Sequence, residues 1–201
     1  DVHTSVGMEP ILNFGNEQQK RRWLPQLASG EAIGAFALTE PGAGSDAAAL
    51  RTSARRVDGG YVLNGTKVFI TNLGHAATYI VMARTGGPGA SGVSAFVVEA
   101  DSAGLVCGQP FDKLGLHGSP TGELTLVDVF VPEDHLLGGE GRGFVIAMTA
   151  LDAGRIGISA QAVGKARGAL EDATRYDREG RAFCPAIGEL QGIPFMLADL
   201  A

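Results

Sequence analysis

The chain has few cysteines, few aromatics and little clustered positive charge, and each shortage removes a class of function. Its two cysteines, Cys107 and Cys184, stand far apart, with no CxxC pair and no histidine at ligand spacing. That pattern supports neither a zinc site nor a disulfide framework, so no metal is expected and both thiols read as free in a reducing compartment. The four histidines, His3, His75, His117 and His135, are scattered singly. Each reads as a surface or hydrogen-bonded structural residue, and no Ser-His-Asp arrangement emerges. Lysine and arginine number 16 against 22 acidic residues, for a net charge of -6. The basic groups Lys20-Arg21-Arg22 and Arg55-Arg56 are short solvated faces, which argues against nucleic acid as a partner, since displacing phosphate counterions needs concentrated positive charge. No run reaches the roughly 18 consecutive apolar residues of a membrane-spanning helix, and no charged-then-apolar leader is visible.

What is abundant is glycine, at 30 residues, beside an apolar content of 45%. That is enough apolar material for an ordinary core, and the glycines suit a sheet with many reversals. The pattern begins as helix: Asn16 is a good N-cap, Gln19 stands where a capping-box partner would, and Glu17 suits the positive end of the dipole. Pro25 is expected to kink or stop that helix, and Ser29-Gly30 to end it. Strands follow at Ile33 to Leu38, Leu50 to Val57, Tyr61 to Ile70, Thr78 to Arg84, Val93 to Glu99 and Leu124 to Val131, with reversals at Asp58-Gly59-Gly60 and Asn64-Gly65. Six strands in about a hundred residues without a helical crossover imply an antiparallel sandwich or barrel, and hence an α+β chain. Beyond Gly141, apolar residues from Phe144 to Ala173 recur at helical spacing, giving a helix of about 30 residues that ends before Gly180. Pro185 is expected to open a further helix towards Ala201. The absence of an initial methionine and of a final cap leads us to expect that both ends are cut from a longer protein.

The stretch Phe36-Ala37-Leu38-Thr39-Glu40-Pro41-Gly42-Ala43-Gly44-Ser45-Asp46 carries the most chemical information. A strand breaks into a loop of small residues whose nearly bare backbone lets N–H groups approach an anion, and Ser45 adds a hydroxyl. Glycine is expected there to permit unusual dihedrals. Taken alone, the same residues also make an ordinary solvated turn. Two other phosphate-like patterns fail on context. Gly87-Pro88-Gly89-Ala90-Ser91-Gly92 spells GxGxxG but leads into a strand rather than a helix, and Gly60 and Gly65 have P-loop spacing with Thr66-Lys67 in the wrong order.

Several separate blocks, in order, resemble the acyl-CoA dehydrogenase family of flavoproteins, specifically its short-chain or short-branched-chain type. Phe36 to Asp46 is similar to the family's first signature, and Val68-Phe69-Ile70-Thr71-Asn72 to its flavin-facing strand. Lys113-Leu114-Gly115 with Ser119, Thr121 and Glu123 resembles its late sheet segment. Leu151-Asp152-Ala153-Gly154-Arg155-Ile156-Gly157-Ile158 resembles the start of its long helix, and Phe183, Gln191 and Phe195-Met196-Leu197-Ala198-Asp199 the next one. The likeness spans essentially the whole chain. It implies the end of an N-terminal helical domain at 1–31, a middle β-domain at 32–138 and the start of a C-terminal bundle at 139–201, with FAD between sheet and bundle.

The reaction implied is α,β-desaturation of an acyl-CoA thioester, with electrons passing to electron-transfer flavoprotein. By resemblance, Phe36, Leu38, Thr39, Gly44 and Ser45 contact FAD, Ser45 also contacts substrate, and Phe69, Ile70 and Thr71 cover the other side of the ring. Asp152 and Arg155 match positions that contact the CoA portion. Arg181, Phe183 and Gln191 match positions that reach FAD in a neighbouring subunit, which implies a homodimer or homotetramer. The arginine usual in the family falls on Gly180 here, so Arg181 is expected to substitute for it unless the contact is lost. The family's catalytic glutamate stands either in a later helix or immediately before the helix arginine. The latter position is Gly154, so no catalytic residue is expected within these 201 residues, and the chain by itself is expected to be inactive. An acyl-CoA oxidase or nitroalkane-oxidase-like relative, or a non-catalytic flavin- or CoA-binding scaffold, remains as an alternative. The Ala/Gly/Arg-rich composition favours a bacterial cytoplasm over a mitochondrial matrix.

Overall fold

A computed structural model describes every residue from Asp1 to Ala201, and the chain divides into two compact units, Asp1–Gly154 and Arg155–Ala201. The first unit opens with a π-helical turn, His3–Met8, followed by α1 (Glu9–Phe14) and α2 (Glu17–Ser29). The α2 capping box forms as expected: Asn16 Oδ1 accepts from the Gln19 N–H at 2.9 Å, and Gln19 Oε1 accepts from the Asn16 N–H at 2.8 Å. The Gln19 amide then donates to the Asp134 and Leu136 carbonyls, tying the helix start to the far end of the sheet. Pro25 does not stop α2, which runs through to Ser29 and closes on Gly30 at φ 80°. A proline in a helix removes one N–H bond, and here Trp23 and Leu27, each 1% exposed, hold that turn against the core.

Eight strands form one sheet: β1 (Gly34–Ala37), β2 (Ser53–Val57), β3 (Gly60–Thr71), β4 (Thr78–Arg84), β5 (Val93–Glu99), β6 (Leu105–Cys107), β7 (Thr121–Pro132) and β8 (Leu136–Leu137). The α+β class holds, and β6 and β8 join the six strands read from periodicity. Both are short, which leaves too few residues for alternation to register. The order is β6-β7-β3-β2-β4-β5-β8, with β1 also on β4. Pairing is not wholly antiparallel. β1 runs parallel to β4, from Gly34 opposite Thr78 to Ala37 opposite Val81, and Ser53 of β2 meets Arg84 of β4 in parallel. The β2–β3 hairpin supplies the crossover that a helix supplies elsewhere.

Strands β4 and β5 are buried on both faces. Tyr79, Val81, Phe96 and Val98 face β3 and β7 residues such as Tyr61, Leu63, Leu124 and Val131, the two layers of a sandwich. Ile80, Met82, Ala95 and Val97 face Ile11, Trp23 and Leu27 of the helices and, further along the chain, Ile146 and Ala147. Such two-sided burial explains why these strands read as continuous apolar runs.

Helix α3 (Gly143–Glu179) is 37 residues long, and its first turns belong to the first unit. In the second unit it is followed by a tight reversal, a 3-10 turn at Ile187–Glu189 and α4 (Gly192–Leu200). Pro185 therefore does not open the last helix. It lies in the reversal, where Arg181 bridges Ala186, the Pro185 carbonyl accepts from the Ala182 N–H, and Phe183 and Cys184 take φ of 55° and 85°. Two consecutive left-handed residues break the chain direction and delay the helix to Gly192.

Candidate functional site

The loop after β1 is held by its backbone from the outset. The Leu38 carbonyl accepts from Lys67 Nζ at 3.0 Å, and the Thr39 carbonyl accepts from the Val68 N–H at 2.9 Å. Glu40 and Ala43 exchange N–H to carbonyl bonds of 3.1 Å, closing a two-residue turn at Pro41-Gly42. Beyond that turn the pattern changes. The Gly44 and Ser45 N–H groups meet no acceptor in the chain, and neither does the Ser45 hydroxyl, all at the surface. The two loop glycines do not work through unusual dihedrals as expected. Neither Gly42 nor Gly44 has a left-handed φ, and a Cβ at either would meet no atom within 4 Å. What glycine leaves there is open approach to the backbone.

The facing wall is built by a bulge in β3. Lys67 pairs with Leu124 and Ile70 with Gly122, so three steps on β3 oppose two on β7. The extra residue is taken up at Phe69, whose φ is 60° and whose side chain is 66% exposed. A phenylalanine in the left-handed region is strained by about 1–3 kcal/mol. Its ring meets Phe111 edge-on, with centroids 5.6 Å apart. The bulge inverts side-chain parity, so Ile70 is 1% exposed and packs in the sandwich core with Leu73 and Leu124. The Ile70 side chain therefore does not reach the open face, contrary to the expectation that it covers the ring. Thr71 is half-buried at the strand end, and its hydroxyl, like that of Thr39, has no partner in the chain. Phe36 and Leu38 pack on the helix side, Leu38 at 8% exposure and Phe36 half-buried.

Beneath these walls lies a buried ion pair that sequence reasoning gave no role. Lys67, fully buried, donates to Glu40 Oε1 at 2.8 Å. Glu40 also accepts from the Thr52 N–H at 2.9 Å and, through Oε2, from the Arg51 N–H at 2.6 Å. Burial raises the Glu40 carboxyl, but the Lys67 charge and these hydrogen bonds outweigh it and leave it below its ordinary value. Burial lowers the Lys67 ammonium to about 8, with Glu40 holding it up against a larger fall. A signal for the buried lysine, though not for its partner, was present in the sequence: Tyr61, Leu63, Gly65 and Lys67 alternate, which puts the lysine on the face of two core residues. A lysine on a core face needs a carboxylate.

The GxGxxG loop leads into β5, as read from the sequence, and not into a helix of any length. Arg84 fills the loop, donating to the carbonyls of Ala48, Leu50, Gly87 and Gly89. Asp152 and Arg155 are exposed on α3, three positions apart. Gly154 between them offers no side chain, and a Cβ there would only touch Val6 and Ser5 at ordinary contact distances. In the second unit, Arg181, Phe183 and Gln191 are all exposed, Phe183 at 93%, and Arg181 Nη1 lies 3.5 Å from the Cys184 carbonyl. At Gly180 a Cβ would stand 2.6 Å from Ile187 Cδ1 and 2.9 Å from the Tyr176 carbonyl. The usual arginine position is thus closed by packing.

Three family descriptions match consecutive parts of the chain: acyl-CoA dehydrogenase N-terminal domain over residues 1–31, middle domain over 35–129 and C-terminal domain over 141–201. The chain belongs to the acyl-CoA dehydrogenase family. A Bacillus subtilis acyl-CoA dehydrogenase is 54% identical over all 201 residues, which make up 53% of its length. The butyryl-CoA dehydrogenase of Megasphaera elsdenii superposes with a TM-score of 0.95 at 46% identity, over 99% of this chain and 52% of that one. An acyl-CoA dehydrogenase from Bacillus anthracis, solved in complex with FAD, gives a TM-score of 0.93 at 41% identity, over 98% of this chain and 34% of that one. The chain therefore spans about half the length of the relatives it matches. By length and composition alone α3 could cross a membrane, although no stretch of it reaches 18 consecutive apolar residues. Its first turns pack on the sheet through Ile146 and Ala147, and it lies within the matched C-terminal domain.

The residues present fit FAD. Unpaired N–H groups at Gly44 and Ser45 and the Ser45 hydroxyl are donors suited to a phosphate, and the Thr39 and Thr71 hydroxyls with the Phe69 ring suit a flat heterocycle with a polar edge.

Proposed function

We propose that the protein containing this chain is an FAD-dependent acyl-CoA dehydrogenase acting on short acyl chains, with residues 1–31, 32–138 and 139–201 as parts of its three domains. The observation that carries this reading is the set of unpaired donors, Thr39, Gly44, Ser45 and Thr71, on a loop and strand anchored by the Lys67 and Val68 bonds to the Leu38 and Thr39 carbonyls and by the Lys67–Glu40 pair. Donors fixed in place before the ligand arrives bind without further ordering cost. The short-chain assignment is supported by likeness to the Megasphaera elsdenii enzyme.

When bound, FAD supplies the acceptor for the β-hydride that no side chain can take. The chain's own residues orient and shield. The Thr39 and Thr71 hydroxyls address the polar edge of the ring, Phe36 and Leu38 back the loop that carries Thr39, and Phe69 covers the ring's other side and excludes water. The Gly44 and Ser45 donors hold phosphate, with Ser45 also on the substrate side. Asp152 and Arg155 bind the CoA portion. No carboxylate in this chain is assigned as the base for the α-proton. Arg181, Phe183 and Gln191 reach FAD of a neighbouring subunit in a homodimer or homotetramer, electron-transfer flavoprotein is the acceptor, and the compartment is a bacterial cytoplasm. Mass spectrometry of butyryl-CoA incubated with the full-length protein and an artificial electron acceptor tests the reading. Loss of two hydrogens is expected, and unchanged thioester with FAD bound would point to a scaffold.

A further inference from the structure

The polar contacts of the loop converge on two buried side chains, Lys67 and Glu40. Lys67 reaches the chain just before the turn, at the Leu38 carbonyl and Glu40 Oε1, and its neighbour Val68 takes the Thr39 carbonyl. Glu40 reaches the chain just after the loop, at the Arg51 and Thr52 N–H groups. Both ends of the segment 41–50 are therefore fastened to one carboxylate, and that carboxylate is fastened to the strand that turns out Phe69. Burying two charges is costly, and apolar side chains of similar volume would fill the space without that cost. An ion pair retained here is explained by what it fixes: three backbone groups at defined spacing, which an apolar pair cannot hold.

Resting on the FAD reading above, we infer that Lys67 and Glu40 are positioning residues for the cofactor, setting Thr39 and the Gly44-Ser45 donors relative to Phe69. The pair acts through the backbone and touches neither cofactor nor substrate. Its removal alters the flavin environment as well as stability, because donors displaced by a fraction of an ångström bind the same groups less well.

The test uses full-length protein carrying Lys67→Met, Glu40→Gln or both, with Val131→Ala as a core control distant from the loop. FAD affinity is measured on the apoprotein, together with the visible spectrum and midpoint potential of the bound flavin. Each single variant is expected to bind FAD about tenfold or more weakly, with a shifted spectrum and potential. The double variant is expected to recover thermal stability over the single ones while keeping the weakened, shifted flavin. Val131→Ala is expected to lose stability and keep a parent-like flavin. Folded Glu40→Gln or double variant with parent-like affinity, spectrum and potential would overturn the proposal, whatever Lys67→Met does. A parent protein that itself fails to bind FAD would overturn the cofactor reading first, and is told apart by the parent alone.

Discussion

The Thr39 carbonyl accepts a hydrogen bond from the Val68 N–H at 2.9 Å, one residue before Phe69 turns outward at φ 60°. That bond, together with those of Lys67 to the Leu38 carbonyl and to Glu40, ties the donor loop to the aromatic wall. The two segments are 29 residues apart in sequence, so their spacing depends on strand register and on the bulge that absorbs one residue between Lys67 and Ile70.

Phe69→Gly separates fold from function at this wall. Relief of the left-handed strain offsets the loss of the Phe111 contact and the entropy of glycine, so folding stability should change by no more than about 1 kcal/mol. FAD affinity should fall. Urea denaturation and FAD titration of the full-length protein check both, and unchanged affinity would remove Phe69 from the site.

Ser45→Ala removes a hydroxyl that bonds nothing in the chain, so stability should stay within about 0.5 kcal/mol of the parent. FAD or acyl-CoA binding should weaken by up to about tenfold, the worth of one hydrogen bond to a ligand. Gly44→Val has room in the protein, since a Cβ there meets nothing within 4 Å. It should fold normally and weaken phosphate binding by obstructing approach, which calorimetric titration with FAD would show.

Acid should loosen the loop through Glu40. Its folded carboxyl lies below the unfolded value, so the folded state binds fewer protons around pH 4–5, and the stability it contributes above that range is lost as pH falls through the folded value. Lys67 acts in a different window. With the ammonium lowered to about 8, the unfolded chain binds more protons than the folded one between that value and the ordinary lysine range, so this contribution to stability rises with pH there. Denaturation midpoints against pH should show a shallower acid limb in Glu40→Gln and a flatter alkaline one in Lys67→Met.

Much of this was legible in the sequence where local chemistry decides the outcome. The Asn16–Gln19 capping box, the Gly30 stop and the strands Thr78–Arg84 and Val93–Glu99 form where their residues place them. The loop Phe36 to Asp46 was legible as a strand breaking into a turn with accessible backbone, and the turn at Pro41-Gly42 with exposed Gly44 and Ser45 follows that reading. Illegible features depend on long-range register: the parallel approach of β1 to β4, the parity change that buries Ile70 and exposes Phe69, and the pairing of Lys67 with Glu40 across 27 residues. Pro185 misleads for a related reason: the left-handed Phe183 and Cys184 draw it into a turn.

Gly180→Arg should destabilise the second unit, because its Cβ would collide with Ile187 Cδ1 and the Tyr176 carbonyl. Arg181→Ala should leave folding nearly unchanged, its guanidinium being exposed and held by one long contact to Cys184. In the assembled oligomer, however, it should weaken FAD binding severalfold, by loss of a charged hydrogen bond to phosphate. Thermal melts paired with FAD titration distinguish the two, and parent-like affinity in Arg181→Ala would mean that the phosphate contact is absent from this protein.

In the proposed enzyme the Thr39–Ser45 loop and the Phe69 bulge hold FAD for oxidation of an acyl-CoA. Anaerobic addition of butyryl-CoA to the FAD-loaded full-length protein tests it most directly. Bleaching of the visible flavin band on mixing is the predicted result, and a fully occupied flavin that stays oxidised would contradict the account.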